Sequence, residues 1–128
     1  MRKRAAARQA DILTVLKASA RPMTAYQILE HLQMEEPDIA PPTVYRTLSA
    51  LTNLGHAHRL ESIKAFVPCR CSHVESVPVL AICEDCGSVE EYDGSDILPK
   101  LTGLTDQTAF RADRYIVEIH GQCGSCAA

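Results

Sequence analysis

Apolar positions in the first half of the chain recur with a helical period. In "AAARQADILTVLKAS", residues 5–19, Ile12, Leu13 and Leu16 fall on one side of a predicted helix, and Arg21-Pro22 closes the segment. Thr24 is followed three residues later by Gln27, the capping-box arrangement, and Ile28, Leu29 and Leu32 then form the stripe of a second helix. A third helix is expected in "PPTVYRTLSALTNLGH", 41–56, where prolines suit a first turn and Gly55 suits a stop. Val44, Leu48 and Leu51 line its apolar side. Arg46, roughly 200° around the axis from Val44 at about 100° per residue, points away from it, with Tyr45 on the flank.

The period then changes. "HAHRLES" and "KAFVPC" read as two short strands joined by a tight turn near Ser62 and Ile63, and three helices followed by a hairpin make the winged-helix pattern. Strand-like runs continue in "VLAIC" (79–83), "SVEEYD" (88–93) and "RYIVEIHG" (114–121). Between the last two, Ser95 and Asp96 begin a short helix with Pro99 in its first turn. The expected fold class is α+β, with a winged helix-turn-helix domain at 1–68, a hinge at 69–78 and a small α+β domain at 79–128.

Charge sharpens this division. The net charge is −3, but residues 1–64 carry nine Lys/Arg against six Asp/Glu, whereas residues 65–128 carry four against ten. A basic module suited to a polyanion therefore precedes an acidic module suited to cations. No apolar run approaches the roughly 18–20 residues needed to cross a bilayer, and the basic start leads into an amphipathic stretch, so no membrane association and a cytoplasmic location are expected.

In such a compartment six cysteines favour metal ligation over disulfides. Cys83-x-x-Cys86 and Cys123-x-x-Cys126 each offer half of a tetrahedral zinc site, and nearby glycines supply permissive backbone. The competing readings are core thiols or a single redox pair. A closed four-thiolate site has no open position, and no HEXXH-type motif is present, so the metal role is structural and no enzyme activity is expected.

The helix "PPTVYRTLSAL", the wing "GHAHRLES…AFVPC", the knuckle "ICEDCGSVEE" and the ending "VEIHGQCGSC" together resemble the ferric uptake regulator (Fur) superfamily of metal-responsive repressors, most closely its zinc uptake regulator (Zur) branch. The resemblance runs over residues 8–126. It implies a homodimer on double-stranded operator DNA, the structural zinc at Cys83, Cys86, Cys123 and Cys126, and a second, regulatory zinc at His58, Cys69, His73 and Glu91. Cys71 is an alternative to His73, Glu90 competes with Glu91, and His120 is a possible further ligand. A thiolate in the set suits zinc, whereas nitrogen and oxygen donors alone suit iron or manganese.

For DNA contact, Thr43, Tyr45 and Arg46 lie on the helix expected in the major groove, where arginine can read guanine and tyrosine a thymine methyl or phosphate. Arg2, Lys3, Arg4 and Arg8 are expected on phosphate or in the minor groove. The functional expectation is a repressor of zinc uptake genes loaded with two Zn²⁺ per chain. The alternatives are a sensor of iron, manganese or peroxide with the same fold, or a zinc and thiol buffer that binds no DNA.

Overall fold

In the computed structural model, residues 4–70 and 77–128 are described. Arg2, Lys3, Cys71 and His73 lie outside them. The chain divides into two compact units, Met1–Cys69 and Arg70–Ala128.

The first unit begins with α1 (Ala5–Ala18), which buries Arg8, Ile12 and Leu16 at intervals of four residues. A two-residue strand, β1 (Met23–Thr24), leads into α2 (Ala25–Gln33). The capping box is formed: the Thr24 hydroxyl accepts from the Gln27 N–H at 3.2 Å, and the Gln27 side chain accepts from the Thr24 N–H at 3.0 Å. Helix α3 spans Pro41–Asn53 with proline in its first turn. It ends in a Schellman motif, with Gly55 at φ 79°, its N–H on the Thr52 carbonyl, and the His56 N–H on the Leu51 carbonyl.

The wing is the antiparallel pair β2 (Ala57–Leu60) and β3 (Ala65–Pro68), and β1 adds to the other edge of β3. The hairpin turn places Lys64 at φ 50°. Ile12, Leu16, Ile28, Val44, Leu48, Leu51, Ala57 and Phe66 close over one another as the core. The exposed face of α3 therefore points outward from a helix whose other face is fixed by apolar burial.

The second unit is a three-stranded sheet in the order β5–β4–β6, built from β4 (Pro78–Cys83), β5 (Val89–Asp93) and β6 (Val117–Gly121). Central strand β4 pairs antiparallel with β5 and parallel with β6. Helix α4 (Leu98–Asp106) lies in the connection to β6, and a single turn, α5 (Gly124–Ala127), follows.

Two starts differ from the pattern reading by more than one residue. Helix α4 begins at Leu98, because Asp93 accepts from the Ser95 N–H and a turn from Gly94 to Ile97 occupies the residues where a start is expected. Strand β6 begins at Val117, and Arg114 to Ile116 precede its pairing. Gly94 sits where its N–H meets the Val77 carbonyl at 2.7 Å, and a Cβ at this position would collide with that oxygen. Among the described residues no helix is long and apolar enough to cross a membrane.

Candidate metal centre

Parallel pairing explains why two cysteine pairs 40 residues apart in sequence meet. Neighbouring parallel strands end on the same side of a sheet, and Cys83 at the end of β4 is in register with Gly121 at the end of β6. Each strand runs directly into a knuckle. In the first, Gly87 adopts φ 77°, its N–H donates to the Cys83 carbonyl at 2.9 Å, and the Cys86 N–H points at the Cys83 sulfur at 3.5 Å. In the second, Cys123 caps α5, with the Ala127 N–H on its carbonyl at 2.9 Å. The two knuckles are tied by the Glu84 N–H on the Gly121 carbonyl at 2.8 Å and by the Gln122 amide on the Asp85 carboxylate at 2.6 Å.

The four sulfurs of Cys83, Cys86, Cys123 and Cys126 all lie within 4.8 Å of one another. The Cys86 and Cys123 sulfurs are 3.8 Å apart. A tetrahedral zinc with Zn–S bonds of about 2.3 Å needs sulfur separations of about 3.8 Å, so the donor set fits Zn²⁺ in kind, number and spacing.

Proton affinities within the cluster diverge. Backbone N–H groups of Cys86 and then Cys123 hold the Cys83 thiol down to about 6. Hydrogen bonding from Ser88 lowers Cys86. Contacts with the sulfurs of Cys123, Cys83 and Cys86 raise Cys126 to about 12. The cluster favours thiolate at its first knuckle and retains a proton at its crowded far corner, the charge a divalent cation would replace.

In the wing, His58 and Cys69 converge for a reason of register. His58 pairs with Val67, and the hairpin continues past its last strand residue, where the Cys69 N–H donates to the His56 carbonyl at 2.9 Å. Cys69 is thus two residues beyond the partner of His58 and on the same face. Their ligand atoms lie within 4.8 Å of each other, and His58 Nε2 is shielded from solvent.

Strand alternation separates the two glutamates of β5. Glu90 is exposed and accepts from the Tyr92 hydroxyl, whose proton it holds more tightly than usual. Glu91 is half-buried, and its Oε1 accepts from the Arg70 N–H at 3.2 Å. His120 is exposed on β6, with Nε2 3.6 Å from a Glu118 carboxylate oxygen, and is not among the ligands gathered at the four sulfurs.

On α3, Tyr45 and Arg46 are exposed, and the Thr43 carbonyl accepts from the Thr47 hydroxyl at 2.8 Å. Arg4 is exposed at the start of α1. Arg8 instead turns inward, its guanidinium 2.8 Å from Glu36 and one-tenth exposed. The residues that sequence reasoning passed over are Asp85, Ser88 and Gln122. The only signal of them is position, within or beside the Cys-x-x-Cys pairs.

A winged-helix unit and an α+β unit that gathers four thiolates define a metal-binding protein built on a DNA-recognition scaffold. The chain belongs to the Ferric uptake regulator family, whose pattern matches residues 2–120. It is 30% identical over 120 residues to the zinc uptake regulation protein of Escherichia coli (strain K12), covering 91% of this chain and 68% of that one. Among solved structures it resembles a zinc uptake regulator complexed with zinc and DNA, with TM-score 0.88, 28% identity and coverage of 94% and 81%. It also resembles holo XcZur, with TM-score 0.85, 31% identity and coverage of 94% and 84%. Family membership makes the chain a metal-responsive transcription regulator and not an enzyme.

Proposed function

We propose that the protein is a cytoplasmic, zinc-responsive repressor that binds operator DNA as a homodimer and controls zinc uptake genes. The observation that carries the zinc assignment is the thiolate–imidazole pair of the wing, with Cys69 and His58 within 4.8 Å. A sulfur donor of this kind favours Zn²⁺ over iron or manganese. With His73 and Glu91 these residues make the regulatory set, and Glu91 is favoured over Glu90 because it is the half-buried one of the two, on the opposite face of β5 from the exposed Glu90. The four cysteines of the second unit make the structural set, giving two ions per chain.

When bound at the regulatory set, Zn²⁺ supplies a cross-link among its four side chains. Everything else is done by the chain. The apolar stripe of α3 holds Tyr45 and Arg46 outward for the major groove. In a dimer, two such helices match two half-sites about one helical turn apart only at particular separations. Restricting those separations favours the DNA-competent state, and by reciprocity DNA tightens metal binding by the same factor, typically about 5–150-fold.

Dimerisation is supported by the apolar surface of the second unit. Helix α4 contributes no buried residue, and Leu104, Phe110 and Ile119 are all exposed on the lone chain.

The test is zinc content of the reduced protein beside DNA binding at controlled free zinc, for wild type and Cys69→Ser. The expected result is two zincs per chain, with one lost in Cys69→Ser together with tight DNA binding. One zinc per chain with zinc-independent DNA binding would sink the zinc-sensor reading.

A further inference from the structure

The first knuckle gives each of its sulfurs a separate hydrogen-bond partner. The Cys83 sulfur receives the backbone N–H of Cys86 at 3.5 Å. The Cys86 sulfur has the hydroxyl of Ser88 at 3.1 Å. Ser88 also reaches the other cysteine, because its carbonyl accepts the Cys83 N–H at 2.9 Å. One residue two positions beyond the Cys-x-x-Cys pair therefore touches both of its cysteines, one through the backbone and one through the side chain.

We propose that Ser88 is a positioning residue of the four-thiolate centre: its hydroxyl orients the Cys86 sulfur and stabilises it as a metal-bound thiolate. The proposal rests on the reading of the four cysteines as a metal site. The chemistry follows from what a hydroxyl is. It both donates and accepts, and its hydrogen rotates freely about the C–O bond. Against a protonated Cys86 it accepts from the S–H; against a thiolate it turns and donates, so the contact survives ionisation. An alanine at this position keeps the backbone contacts to both cysteines and loses only the hydroxyl at the Cys86 sulfur.

The need for such a donor comes from charge. Four thiolates around one divalent cation leave a net charge of −2, and the surrounding chain adds Glu84 and Asp85 within the knuckle itself. N–H and O–H donors aimed at the sulfurs spread that charge without neutralising it. The backbone N–H of Cys86 serves Cys83, and at Cys86 the Ser88 hydroxyl makes the leading contact, beside the backbone N–H of the same residue. The Gln122–Asp85 bond joins the knuckles farther out and leaves the sulfurs untouched.

The experiment uses the full chain in a Cys69→Ser background, which removes the thiolate of the regulatory set. Ser88→Ala and Ser88→Thr are compared with the parent in two measurements: release of Zn²⁺ to an excess of chelator, and the thiolate-to-metal charge-transfer absorption after Co²⁺ substitution. Loss of a hydrogen-bond partner of a metal ligand typically costs about 10–100-fold in affinity. Ser88→Ala is expected to release zinc about 10-fold faster, with a red-shifted Co²⁺ charge-transfer band, and Ser88→Thr is expected to restore both.

Equal release rates and spectra for parent and Ser88→Ala would overturn the proposal. So would equal loss in Ala and Thr, which would make the effect one of backbone or packing. A parent that lacks four-thiolate Co²⁺ absorption altogether would instead remove the metal centre on which the proposal stands.

Discussion

Helix α3 has a buried apolar face and an exposed face proposed for DNA recognition, and substitutions on each should separate stability from recognition. Leu51 has no exposed surface and packs in the cluster with Val44, Leu48, Ile12 and Ile28. Truncating a leucine in such a site costs about 2–5 kcal/mol, from lost transfer energy and the cavity left behind. For a unit of this size each kcal/mol lowers Tm by about 4–8 °C, so a loss near 3 kcal/mol should lower it by roughly 12–24 °C. Arg46→Ala acts on the exposed face, where substitutions stay within about 0.5 kcal/mol of neutral. If the guanidinium reads a guanine, its removal costs about 1–3 kcal/mol of sequence discrimination.

The assays are thermal unfolding of the zinc-loaded protein by circular dichroism and fluorescence anisotropy with an operator fragment. Leu51→Ala should melt early and, below its transition, still prefer operator over random DNA. Arg46→Ala should melt with wild type and show that preference weakened by about 5–150-fold. Equal melting of Leu51→Ala and wild type, or an Arg46→Ala variant that melts as early as Leu51→Ala, would refute the two-face argument.

Zinc uptake at pH 7.5 should release fewer than four protons per structural site, since Cys83, held down to about 6, is already ionised while Cys126, raised to about 12, must give up its proton; calorimetry in buffers of different ionisation enthalpy measures the number. The sign follows: affinity for zinc rises with pH as Cys126 is more easily deprotonated and falls as pH drops through about 6, where Cys83 regains its proton. Gly94→Ala should destabilise the second unit by about 1–3 kcal/mol by forcing its Cβ against the Val77 carbonyl, seen as a lower denaturant midpoint. Arg8→Ala should cost about 1–2 kcal/mol in the first unit by removing the inward guanidinium from Glu36, while Arg4→Ala, at an exposed position, should leave its melting unchanged.

What could be read from sequence was local. The Thr24–Gln27 box, the prolines and glycine bracketing α3, and the two Cys-x-x-Cys pairs each announce themselves within a few residues, because capping, helix stops and knuckles are made by near neighbours. Strand β1 is two residues long, too short to show a period, and exists only because Phe66 and Ala65 arrive to pair with it. The parallel pairing of β4 with β6 is likewise non-local. The inward turn of Arg8 was hidden for a related reason: its position on the apolar stripe is visible, but its partner Glu36 lies 28 residues away. The proximity of His58 and Cys69 stands between these cases, since it follows from hairpin register once the turn is fixed.

The parallel β4–β6 pair has a consequence for how such a chain can vary through descent. Both knuckles leave one end of the strand pair, while the excursion that includes α4 departs and returns without interrupting the register from Val79–Val117 to Cys83–Gly121. Insertions or deletions around α4 therefore change the surface this unit offers to a partner without changing the anchor points of the four sulfurs. Assembly and metal retention can diverge on separate schedules within one small unit.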